Sequence, residues 1–221
     1  MGRTQRHDHP LAPVLTSVTP ACCPTRLNFH CHTVCSDGSL QPEELAEQAI
    51  AIGLEHLAVT DHHAIEGSNL VATALAEARG RGQAVPTLWR GVEISCLLEG
   101  CLVHVLALGF ADDHSSLHPY LQGSSVVGEA LRAESVLTAI READGLALLA
   151  HPARYRRPFS TLIAAAAELG FDGAETWYDY AMQPRWQPTP LVCEAIARDI
   201  DHRGLLQSCG TDTHGLALHG R

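Results

Sequence analysis

Histidines and carboxylates gather in this chain where short apolar runs end. They occur as His30-Cys31-His32, Ser36-Asp37-Gly38, Thr60-Asp61-His62, Gly91-Val92-Glu93, His104, His151-Pro152 and Asp212-Thr213-His214. Neutral imidazoles mixed with carboxylates suit borderline divalent cations, because ring nitrogens hold the ion while anionic oxygens balance its charge. Such residues are too many for one ion and suggest a cluster of two or three. His30 and His32 stand two apart on a predicted strand, so both face one side and Cys31 the other, a geometry for two nitrogens on one ion.

The elements that must position these groups alternate strand and helix. Strands are predicted over 27–33, 56–60, 87–95, 101–110, 146–150, 173–177 and 205–209, and helices over 42–53, 65–81, 129–144, 161–169 and 190–203. Strands separated mostly by helices imply parallel pairing and a wound or closed α/β barrel. Ligands collect at the carboxyl ends of strands in such folds, and each group falls at or beside such an end, with His104 inside its strand.

The 221 residues suffice for one α/β domain, expected over 26–221, with residues 1–25 read as a flexible extension. The formal net charge of −10 argues against long duplex nucleic acid as a partner. Two or three divalent ions would add roughly four to six positive charges at one mouth, which keeps an anionic substrate in view. Eight cysteines form no CxxC pair. Cys31, Cys96 and Cys209 suit reduced core positions in a cytoplasmic protein, and Cys35 would lie near the ligands. No apolar stretch spans a bilayer, so no membrane partner is expected.

The ordered set His30-Cys31-His32-Thr33, Ser36-Asp37-Gly38, Thr60-Asp61-His62, Gly91-Val92-Glu93, Ala150-His151-Pro152 and Asp212-Thr213-His214 resembles the PHP (polymerase and histidinol phosphatase) family, from about Leu27 to Gly215. The resemblance implies a distorted (β/α)7 TIM-like barrel whose metal site hydrolyses phosphate esters. It implies a first ion on His30, His32, Glu93 and Asp212, and a second on Asp37, His62 and His214. A third would sit on Glu93, His104 and His151, with Glu93 bridging. It assigns catalytic work to Glu93, His151 and Asp212. The ions would be Mn²⁺, Fe²⁺, Zn²⁺ or Mg²⁺, activating a hydroxide to attack phosphorus in line.

Several residues carry a second reading. Asp37 before Gly38 also suits a plain turn, and His104 also suits a satisfied core imidazole. Asp61 reads as a partner that orients a histidine rather than as a ligand. Glu175 reads as an acceptor for barrel neighbours, His63 as an exposed loop histidine, and His7, His9, His56, His114, His118, His202 and His219 as solvated surface. Arg154 is placed to clamp a substrate phosphate in bidentate fashion, with Arg156 and Arg157 extending the positive stretch. The segment around Arg154 resembles that of family members acting on nucleoside bisphosphates and RNA ends. Only 46 residues separate His104 from His151, so the helical insertion of the nucleotide-acting relatives is largely missing, and the chain ends seven residues after His214, leaving an open mouth. The expected substrate is a small phosphorylated metabolite or nucleotide. A 5′-3′ exonuclease on short RNA or DNA and a non-catalytic metal-stabilised binding module stand as alternatives.

Overall fold

The computed structural model describes residues 8–220. Each predicted strand is found near its expected place, one is divided, and the first, expected over 27–33, is cut to two residues so that His30 and His32 lie beyond it. β1 (Leu27–Asn28), β2 (His56–Ala58) and β3 (Thr87–Trp89) form a parallel sheet in that order. β4 (Gly91–Leu98), β5 (Cys101–Leu108), β6 (Leu146–Leu149), β7 (Gly173–Trp177) and β8 (Leu206–Cys209) form a second. The run 87–98 thus breaks at Arg90 and serves both sheets.

Parallel pairing throughout is corrected. β4 pairs with β5, and β5 with β6, antiparallel, while β6–β7 and β7–β8 are parallel. The reason lies in Glu99-Gly100, both at positive φ (51° and 68°), the two-residue turn that matches hairpin twist and that favours glycine. A two-residue link cannot make a parallel crossover.

The helices are α1 (Ala12–Thr16), α2 (Pro42–Ile52), α3 (Glu66–Gly80), α4 (Ala133–Glu142), α5 (Phe159–Leu169) and α6 (Pro190–His202). Pro42 opens α2 as its missing N–H allows, and Leu45, Ala46 and Ala49 bury one face in a cluster with Cys31, Leu57 of β2, Val59 and Leu75 of α3. α4, α5 and α6 cover the outer face of the larger sheet, meeting Val103, Val105 and Ala107 of β5. The alternate residues Leu106 and Leu108 point inward, on the same side as His104.

That inner face is closed below by the N-terminal segment. Leu11, Ala12, Leu15, Val18, Cys22 and Cys23 are buried in one cluster with Leu106, Leu108, Leu146 and Leu148. Residues 1–7 lie outside the described residues, but those six side chains anchor the rest of the expected extension on the core. The spacing of Leu11, Ala12 and Leu15 places them on one helical face, a pattern too short to stand out among the prolines. His9 caps this end: its Nδ1 accepts the Leu11 N–H, and its Nε2 lies 3.2 Å from the Gly109 carbonyl.

Backbone hydrogen bonds join the two sheets on both sides. On one, Phe29 donates to Cys209, Asp212 to His30 and His32 to Thr213. On the other, His63 donates to Glu93, and Glu93 to Asp61. His30, His32, His62, Glu93, Asp212 and His214 therefore lie on or beside these seams, while His104 and His151 belong to the larger sheet.

Candidate metal centre

Glu93 is the hub. Buried on β4, it turns one oxygen, Oε2, to His30 Nε2 (3.1 Å), His32 Nε2 (3.2 Å) and His62 Nε2 (3.5 Å). Its other oxygen, Oε1, faces His104 Nδ1 (2.9 Å) and His151 Nε2 (3.1 Å). Asp212 mirrors it with Oδ1 at 3.3 Å from His30 Nε2, 3.2 Å from His32 Nε2 and 3.6 Å from His214 Nδ1. Asp37, the most exposed member, reaches His214 Nε2 at 3.3 Å, His32 Nδ1 at 3.6 Å and His62 Nε2 at 3.7 Å. All nine expected donors are thus brought together, Glu93 and His104 from within β4 and β5 and the others from the chain that follows β1, β2, β6 and β8.

Their donor atoms form three overlapping groups: His30, His32, Glu93 and Asp212; His32, Asp37, His62 and His214; and His62, Glu93 and His104. The first matches the expected set and the second adds His32. The third holds His62 where His151 was expected, although His151 Nε2 lies 3.1 Å from the same Glu93 oxygen, Oε1, that faces His104. The spacings fit an ion: four ligands at about 2.0–2.1 Å in a tetrahedron stand about 3.3–3.4 Å apart. Neither nitrogen of buried His32, nor His151 Nδ1, has a well-aligned hydrogen bond among the described residues. Buried polar atoms left so are costly unless something else satisfies them, and a cation would satisfy imidazole nitrogens.

Charge follows the same logic. Burial alone would raise the Glu93 pKa, but His30 and the rings of His104 and His151 hold it well below the carboxylate range. Burial lowers the His32 pKa, yet the Asp212 and Glu93 carboxylates outweigh it and lift it to about 9. His62, with weaker compensation, is pushed by burial down to about 4.

Local backbone explains how the chain holds these groups. A Cβ on Gly38 would stand 2.7 Å from the His32 carbonyl carbon, so only glycine lets the loop bearing Asp37 fold back against His32. The turn role weighed for Asp37 and its role in the site are therefore compatible. His63, His151 and Asp212 hold positive φ (52°, 28° and 51°), strain of the kind that gathers at functional sites.

Other expectations are corrected. Asp61 orients no histidine among the described hydrogen bonds. Its carboxylate accepts from the Thr33 N–H (2.7 Å), the Thr33 hydroxyl (2.6 Å) and the Ser36 hydroxyl (2.7 Å), pinning the loop that carries Asp37. The histidine-orienting carboxylate is Glu175, with oxygens 3.1 and 3.2 Å from His30 Nδ1, and Oε2 accepting the His151 N–H at 2.8 Å. His63 is buried, not exposed: Nδ1 donates to the Tyr120 carbonyl and Nε2 accepts the Ser95 N–H. His56 is half-buried and accepts the Trp89 indole N–H. Arg154 is not free at the mouth: Nη1 donates to Asp212 Oδ2 (2.9 Å) and to the Tyr178 hydroxyl (3.0 Å). Tyr178 gave no sequence signal beyond following a strand end, and its hydroxyl donates to Asp212 Oδ2 at 2.5 Å.

A constellation of six histidines and three carboxylates around the buried Glu93 and Asp212 of a mixed α/β fold defines a candidate metal site. The PHP domain profile matches residues 28–173, and the chain belongs to the PHP domain family. It is 33% identical over 142 residues, 59% of its length and 50% of the relative's, to a 5′-3′ exoribonuclease of Haemophilus influenzae. It is 31% identical over 153 residues to a 3′,5′-nucleoside bisphosphate phosphatase of Chromobacterium violaceum, covering 69% of this chain and 44% of that one. The chain thus spans half or less of the length of these relatives. In fold it is similar to an amidohydrolase structure from C. violaceum with bound sulfate and no metal, with TM-score 0.68, 22% identity, 85% of this chain and 87% of that one.

Proposed function

We propose that this chain is a metal-dependent phosphoesterase that hydrolyses phosphate monoesters of a small phosphorylated metabolite or nucleotide. The observation that carries this reading is the split use of Glu93, one carboxylate oxygen to His30, His32 and His62 and the other to His104 and His151. That is the geometry of a bridge between cations. The paired seams support reading the enclosure as the distorted seven-unit barrel.

His30, His32, Glu93 and Asp212 would hold one ion, Asp37, His62 and His214 a second, and Glu93 with His104, His62 or His151 a third. Divalent ions there supply Lewis-acid stabilisation of phosphoryl oxygens and lower the pKa of water. The remaining work belongs to the chain. Glu175 fixes His30 with Nδ1 protonated, leaving Nε2 for the site. Asp61 ties down the loop bearing Asp37. Arg154 offers the guanidinium that neutralises phosphate charge. The apolar floor of Leu106 and Leu148 lies beneath the ligands and excludes water from below.

Trimming of short 5′-phosphorylated RNA is the second reading. A cavity of about 570 Å³ lined by Arg154, Arg156, Arg157, Tyr155 and the Gly100–Leu102 hairpin tip favours it, since it extends positive charge away from the ligands. Elemental analysis joined to hydrolysis assays on wild type and Glu93→Ala tests the proposal. A mononucleotide 3′,5′-bisphosphate, a short 5′-phosphorylated RNA and an aryl phosphate serve as substrates. Glu93→Ala is expected to lose at least one ion and nearly all turnover. Turnover of the bisphosphate but not the RNA supports the monoesterase, and the reverse supports the exonuclease. Metal retained with no hydrolysis of any substrate would leave a binding module.

A further inference from the structure

Asp212 divides its two oxygens between different tasks. Oδ1 faces His30 Nε2 and His32 Nε2, and Oδ2 receives both the Tyr178 hydroxyl at 2.5 Å and Arg154 Nη1 at 2.9 Å. The two donors differ in freedom. Tyr178 is buried, its ring 4.8 Å from that of Tyr180 and 5.5 Å from that of His151. Its backbone is also tied, as its N–H points to Cys193 Sγ and its carbonyl accepts the Thr189 N–H. Arg154 ends a three-residue 3-10 turn, its side chain is 41% exposed, and it lines the arginine-rich cavity.

A short hydrogen bond from a packed phenol is a fixed restraint. One from an exposed guanidinium can be exchanged for another anion. We propose that Tyr178 is a positioning residue for Asp212. Its hydroxyl keeps Oδ2 engaged and Oδ1 turned toward His30 and His32, so that Arg154 can leave Asp212 for a substrate phosphate without disturbing the carboxylate. This inference rests on the metal-site reading above, and it separates the roles of two residues that touch the same oxygen.

The test uses the full chain as wild type, Tyr178→Phe and Arg154→Gln. Mn²⁺ binding is followed by calorimetry, and inorganic phosphate is titrated as an inhibitor of aryl phosphate hydrolysis at saturating Mn²⁺. Tyr178→Phe removes one oxygen and keeps the ring stack. It is expected to weaken the tightest Mn²⁺ site by about 10- to 100-fold, the usual effect of losing a partner behind a ligand. Excess Mn²⁺ is expected to restore kcat, a rescue that general damage to the fold would not show. Arg154→Gln is expected to keep Mn²⁺ affinity while weakening phosphate by about tenfold or more, as for loss of a charge-assisted contact. Wild-type Mn²⁺ affinity in Tyr178→Phe, or equal loss in Arg154→Gln, overturns the division of roles. Should Tyr178→Phe fold poorly, the Arg154→Gln arm still decides, because metal loss there contradicts a carboxylate held by the phenol. A wild-type chain that binds no divalent ion would overturn the metal reading instead, and the inference with it.

Discussion

Glu175 and His30 stand 145 positions apart in the chain, and both oxygens of Glu175 lie within 3.1 and 3.2 Å of His30 Nδ1. The contact is fully buried at both partners. It fixes which ring nitrogen carries the proton and leaves Nε2 toward Glu93 and Asp212. Replacing Glu175 by Gln keeps the size of the side chain and removes its charge. The expected outcome is a loss of about 10- to 100-fold in affinity for the ion that His30 would hold. Competition against a chelator of known affinity measures it, and an unchanged affinity would show that the buried pair serves packing alone.

The same cluster sets a pH dependence. In the metal-free chain, burial lowers the His32 pKa, but Asp212 and Glu93 lift it to about 9, and His30 is likewise raised despite its burial. An unfolded histidine titrates near 6.5, so this contribution to stability is complete below about pH 6.5 and is lost as pH rises through about 9. His62 acts in the opposite sense. Burial lowers it to about 4, so the unfolded chain binds the proton more readily and stability falls as pH drops from about 6.5 toward 4. Chelator-treated protein is therefore expected to be most stable near pH 6.5 and to lose stability toward pH 9. Because ligands must be deprotonated, Mn²⁺ affinity is expected to rise over that same upper window with proton release. Urea unfolding at each pH and calorimetry in buffers of different ionisation enthalpy measure the two trends. Stability that climbs between pH 7 and 9 would contradict the assigned directions.

The ligands were legible because strand alternation is local. His30 and His32, two apart on a predicted strand, announce one face without tertiary information. What lay behind them was not. Glu175 and Tyr178 act on His30 and Asp212 through contacts spanning 145 and 34 positions, and no spacing rule reports a partner so far along the chain. Asp61 was misjudged for the opposite reason. It neighbours His62 in sequence, yet its side chain turns to Thr33 and Ser36 across the adjoining strand. Strands expected over 87–95 and 101–110 leave five residues between them, whereas β4 runs on to Leu98 and leaves only the Glu99-Gly100 turn, which makes the pair an antiparallel hairpin.

The N-terminal segment supplies the last prediction. Leu15 is fully buried and belongs to the cluster that underlies the site with Leu106, Leu108 and Leu148. A residue on a detached extension contributes almost nothing when truncated, whereas one in a packed core loses its transfer energy and leaves a cavity. Leu15→Ala is expected to cost about 2–5 kcal/mol, read from the urea midpoint with the slope unchanged. The donors sit above this floor on paired backbone of their own, so metal stoichiometry in the folded variant is expected to match wild type. A change below about 0.5 kcal/mol, the usual effect of a surface substitution, would mean that α1 does not pack against this apolar floor in solution.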